Sequence, residues 1–64
     1  MIDHKEIEVF EKLNAIRVKE TRGLEAAIRV YPTQKKYILS NKDKSLKDVE
    51  DELLRQLDNA KVLH

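Results

Sequence analysis

Val9, Phe10, Leu13 and Ile16 fall on one face at 100° per residue, Ile2 joins them, and Ile7 lies off the stripe. Asp3-His4-Lys5-Glu6, just ahead, has the form of a capping box: a carboxylate accepts an early amide and a glutamate follows three residues on. This pattern predicts a first helix over 3–14. The C-terminal segment carries the same rhythm more clearly. Leu46, Val49, Leu53, Leu57 and Ala60 form a narrow apolar stripe, with Leu54 beside it. Ser45 and Asp48 make a second capping box, and Asp48, Glu50, Asp51 and Glu52 place negative charge at the positive end of the helix dipole. No Gly or Pro interrupts the segment, and a helix over 46–61 follows.

Between the two the period changes. Ile16 and Val18 alternate with Arg17 and Lys19; Leu24, Ala26, Ile28 and Val30 alternate with Glu25, Ala27, Arg29 and Tyr31. Gly23, the only glycine, ends the intervening "KETRG", where a hairpin loop wants positive φ. After Pro32 comes "TQK", a turn candidate, and then "KYILSN", rich in β-favouring residues. This alternation predicts strands over 15–21, 24–31 and 36–40, and an α+β fold of helix, three-stranded antiparallel sheet and helix. There is an alternative reading of the same residues. The first helix would continue to Gly23 as its C′ residue, and Leu24, Ala27, Ile28 and Tyr31 would form a second helical face ending before Pro32. The chain would then be a small all-α bundle.

Length adds a constraint on stability. Sixty-four residues suit one small domain spanning 1–64, and a chain of this size buries only about 60% of its unfolded surface. With no Cys there is no disulfide and no thiolate metal site, and His4 and His64 lie near opposite ends. Stability must come from aliphatic packing, from a partner, or from both. Homodimerisation is one way to supply it.

Charge makes up 39% of the chain for a net of +1, but it is unevenly placed. Residues 14–44 carry Arg17, Lys19, Arg22, Arg29, Lys35, Lys36, Lys42 and Lys44 against Glu20, Glu25 and Asp43, a net of +5. Both flanking segments are net acidic. On the expected sheet, the face away from the helices displays Arg17, Lys19, Arg29, Tyr31 and Lys36, with Glu25 as its only interior acid. Cations on adjacent strands repel unless an external anion neutralises them, which points to DNA or RNA as the partner. Lys42 and Lys44 precede the last helix, where an anion would meet both the ammonium groups and the helix N-terminus.

Residues 16–57, "IRVKETRGLEAAIRVYPTQKKYILSNKDKSLKDVEDELLRQL", are similar in layout to the arm-site-binding domains of phage and transposon integrases. That resemblance implies a sheet inserted in the DNA major groove, with Arg17, Lys19, Arg29 and Tyr31 in contact, and an accessory factor of a phage or mobile element. The helix–three strands–helix order also resembles a double-stranded-RNA-binding domain. There Lys42, Lys44 and Lys47 would take the place of the lysines that clamp phosphate.

Nothing in the chain marks an enzyme. It has no nucleophile–base pair of recognisable spacing, no glycine-rich phosphate loop and no metal or cofactor constellation. The other function class is a protein-interaction or dimerisation module of a small regulatory protein, with Ile7, Leu54, Val62 and Leu63 as spare apolar residues for the contact. The longest uninterrupted apolar run, Ala26-Ala27-Ile28, is too short for a membrane span or a signal peptide, so a cytoplasmic protein is expected.

Overall fold

The computed structural model describes the backbone of residues 4–62 and the side chains of residues 4–59. Five elements follow in order: α1 (His4–Arg22), α2 (Leu24–Val30), a 3₁₀ turn (Pro32–Gln34), α3 (Lys35–Ser40) and α4 (Leu46–Val62). No strand occurs among the described residues. The sheet expected over 15–21, 24–31 and 36–40 is therefore absent, and the all-α alternative describes the fold. The likeness to integrase arm-site-binding domains and to double-stranded-RNA-binding domains depended on that sheet and falls with it. The first capping box and Ile2, the Ala60 side chain, and Val62 and Leu63 as contact residues lie outside the described side chains.

The apparent alternation has a physical cause. α1 is packed on two sides and carries two apolar stripes. Val9, Leu13 and Ile16 join Val49, Leu53 and Leu57 of α4 in one buried cluster, with Tyr37 and Leu46 against it. Ala15 joins Ala27 and Ile38 in a second cluster, with Val18, Leu24, Ile28 and Tyr31 packed around it. Ile16 and Val18 thus belong to opposite flanks of one helix. In α2, the face that packs is Leu24, Ala27, Ile28 and Tyr31, while Val30 is more than half exposed. Tertiary burial of that 3.6-period face outweighs the β preference of single residues. Phe10, expected in the core stripe, is 47% exposed.

Gly23 separates α1 from α2. Its N–H donates to the Lys19 carbonyl at 2.9 Å, and its own carbonyl accepts from Ala27 at 3.2 Å. At φ 102°, ψ 168° it occupies backbone space that is essentially glycine-only. α2 ends at Tyr31, since a residue before proline disfavours the helical region, and Pro32 then opens the 3₁₀ turn. Gln34 ties that turn to α1 by donating to Glu11 Oε2 at 3.2 Å.

The connection from α3 to α4 is organised by a lysine. Lys19 is 9% exposed, and its ammonium donates to the carbonyls of Asn41 at 3.1 Å, Lys42 at 3.2 Å and Lys44 at 3.0 Å. All three ammonium donors are used. Asn41 is buried beside it; its side-chain amide donates to the Tyr37 carbonyl at 2.9 Å and closes the end of α3. Ser45 then caps α4, its hydroxyl accepting from the Asp48 N–H at 3.3 Å as the second capping box predicts. Because the C-terminal end of α1 is held next to the start of α4, the two long helices run antiparallel.

Two outcomes follow. Lys19→Met keeps the aliphatic stem but strands three carbonyls. It should cost about 2–3 kcal/mol, the scale of hydrogen bonds to a charged group, in urea unfolding followed by helical signal. A Cβ at Gly23 would meet nothing within 4 Å, so Gly23→Ala tests backbone strain alone. It should cost about 1–3 kcal/mol by the same measurement; an unchanged midpoint would show that the chain does not need this conformation.

Candidate functional site

The cations expected on one surface are distributed over four elements. Arg17 is exposed on α1 and its guanidinium lies 3.4 Å from the half-buried Glu50 of α4. Lys19, expected to face a ligand, is buried and spends its ammonium on backbone carbonyls. Arg29 is exposed in the last turn of α2, and Tyr31 is half-buried against the second core cluster. Lys36 is exposed on α3; Lys42 and Lys44 are exposed in the α3–α4 loop, where their carbonyls serve Lys19. With no sheet to align them and one of them buried, the continuous cationic face does not form. The expected nucleic-acid binding and mobile-element origin lose the feature that supported them.

A different surface stands out. α1 is covered by α4 on one flank and by α2, the 3₁₀ turn and α3 on the other. Between these neighbours a strip is left open: Ile7, Phe10, Asn14, Arg17 and Thr21, all exposed. Their spacing is three, four, three, four, the repeat that keeps side chains along one seam of a helix. Ile7 is 43% and Phe10 47% exposed. Leu54 of α4, 40% exposed, borders the strip. The Arg17–Glu50 pair sets the register of the antiparallel helices. From it, Phe10 lies two turns back along α1 and Leu54 one turn forward along α4, so both are displaced in the same direction, about 10 and 6 Å.

Ile7 and Leu54 were legible as spare apolar residues, because each lies off its helix's main stripe. Phe10 was assigned to the core, where its departure of about 100° from Val9 was the available sign of a second face. Lys19 carried a sign too: it lies one turn beyond Ile16, along the buried side of α1. Val30 and Leu39 are also exposed, but they sit singly on separate short helices, and isolated apolar residues at a surface need no explanation.

Among titratable groups, Tyr37 is perturbed. Burial against the α1–α4 core, and then the negative charge of Glu52, push its phenol above the ordinary value of about 10. The Lys12 ammonium lies 4.9 Å from the ring centroid and 2.9 Å from Glu8. Among the described residues no three His, Cys, Asp or Glu side chains are grouped to hold a metal ion. No helix there is long and apolar enough to cross a membrane.

No family model, curated protein or solved structure matches this chain.

The Tyr37 environment fixes the sign of an alkaline effect. A phenol whose folded pKa exceeds its unfolded one stabilises the fold fully below the unfolded value and loses that contribution as pH rises through the folded value. Stability should therefore fall from about pH 10 upward. Tyr37→Phe should show a shallower alkaline decline in a series of urea midpoints. Parallel declines in the two proteins would remove Tyr37 as a cause.

Proposed function

We propose that this protein is a non-catalytic protein-interaction module that engages its partner through the open strip of α1, with Leu54 at the margin. The observation that carries this reading is the composition of the strip. In a chain that is 39% charged, five exposed positions along one helix face hold one charged residue, Arg17, and two large apolar ones, Ile7 and Phe10. An exposed helix face solvated for its own sake would be expected to carry the Lys and Glu found elsewhere on α1. A strip of aromatic, aliphatic, amide, guanidinium and hydroxyl groups has instead the make-up of an interface centre, where Arg and aromatics are enriched and Lys and Glu depleted.

The size of the domain supports the same reading. Among the described residues nine apolar side chains are buried, in two small clusters. A core of that extent gains from further apolar burial supplied by association. Among the described residues the acids of α4 spread around a helix, and the cations are scattered or engaged.

Phe10→Glu distinguishes interface from core. Sedimentation velocity over a range of concentrations, with native mass spectrometry of the chain purified from producing cells, should reveal a complex of defined stoichiometry. The substitution should weaken it by a factor of about 30 or more, the scale of an interface aromatic, while leaving the helical spectrum intact. A chain that remains monomeric throughout and brings no stoichiometric partner with it would reject the reading. Loss of helicity in the variant would assign Phe10 to the fold instead.

A further inference from the structure

We infer that the occupant of the α1 strip is a second copy of this chain, packed antiparallel about a twofold axis that passes beside Asn14. This rests on the interaction reading above and specifies its partner and geometry.

The register comes from the strip itself. Asn14 is its midpoint, with Ile7 seven residues before and Thr21 seven residues after. Under a twofold axis at Asn14, Ile7 opposes the partner's Thr21 with no axial offset, and Phe10 opposes the partner's Arg17 within about 1.5 Å along the axis. Each half of the strip therefore supplies what the other half lacks. The aromatic ring meets a guanidinium, a pairing that is favourable when partly desolvated. The Asn14 amides of the two copies meet at the axis, where each can donate to the other. A single amide at such a seam position favours one register, because a slip toward Phe10 or Ile7 strands it against apolar groups.

Charge selects the direction. The first half of α1, residues 4–13, carries Glu6, Glu8 and Glu11 against Lys5 and Lys12, a net of −1, and the second half, residues 14–22, exposes Arg17 and Arg22 against Glu20, a net of +1. Antiparallel packing sets acidic half against basic half and opposes the helix dipoles. Parallel packing would bring Arg17 against the partner's Arg17 at the seam. The contact is isologous, so it closes at two copies and leaves no open end for a filament. The same axis places Leu54 of both copies along one side of the α1 pair, where they extend the buried seam.

The chain has no native cysteine, so single-cysteine variants report the geometry directly. Asn14→Cys, Ile7→Cys and Thr21→Cys would each be incubated with oxidised glutathione and read by non-reducing electrophoresis and intact mass. Facing positions at the seam come within the span of a disulfide, about 4.4–6.8 Å between Cα atoms. The antiparallel pair predicts a homodimeric disulfide for Asn14→Cys. It predicts a mixed disulfide when Ile7→Cys and Thr21→Cys are combined, at least tenfold more abundant than the homodimer of either alone. Homodimers of Ile7→Cys and of Thr21→Cys would establish parallel packing and overturn the inference. So would a wild-type complex, sensitive to Phe10→Glu, whose mass shows a different protein as partner; the interaction reading would then stand and the second copy would not. A wild-type monomer without any partner overturns both. Because the cysteine changes could themselves disturb the seam, Arg17→Glu supplies a second arm. It should weaken wild-type self-association at least tenfold, and unchanged self-association would reject the opposed Phe10–Arg17 register.

Discussion

One ammonium group holds this fold in register. Lys19 sits near the end of α1, and its nitrogen is shared among three carbonyls of the segment that joins α3 to α4. A short loop between helices leaves carbonyls without amide partners, because the last turn of a helix cannot satisfy its own. The ammonium takes up one at the end of α3 and two beyond it. It also offsets the cost of its own burial, since no donor is left unused and no buried side-chain polar atom among the described residues lacks a partner. With the loop anchored to α1, α4 can begin only where Ser45 caps it. The pairing of Val9, Leu13 and Ile16 with Val49, Leu53 and Leu57 follows from that starting point.

The same contact explains why charge along the sequence was a poor guide to the surface here. A lysine in a basic stretch is counted as surface potential until its surroundings are known. Here the chain uses the charge internally, as a cap, and the +5 of the central segment overstates what a ligand would meet. Arg17 is also partly committed, to Glu50, although an exposed pair of that kind contributes little, about 0–1 kcal/mol. What remains is spread over the end of α1, where Arg22 is exposed, α2, α3 and the loop.

How much of the fold could be read depended on how many neighbours each helix has. α4 packs along one side, so its apolar residues form one clean stripe, and its N-cap and its start at 46 were legible. α1 packs along two sides, and two 3.6-period stripes laid over each other put apolar residues two apart at Ile16 and Val18. That spacing is indistinguishable from a strand when read over a few residues. α2 and α3 are only seven and six residues long, too short for a period to declare itself. In α2 the face Leu24, Ala27, Ile28 and Tyr31 was visible beside the false alternation, and burial decides between them. The open strip of α1 was half legible. Ile7 and Leu54 stood out against their stripes, whereas Phe10 merged with a core face from which it is turned away.

The open strip is itself a result of these lengths. α1 and α4 are about 28 and 25 Å long, while α2 and α3 are each about 10 Å. Two long helices cover one flank of each other. Two short ones, turned at Gly23, Pro32 and Asn41, cover the second flank of α1, and the chain then returns as α4 to the first. No element of comparable length is left, among those described, to cover the remaining side of α1. Evolution of a solvated surface there would have required only the Lys and Glu residues that the chain uses freely elsewhere. Ile7 and Phe10 stand in their place, with Asn14 between the apolar and the cationic ends. A fourth wall for α1 is what that composition fits, and another long helix is the element whose shape and spacing match it.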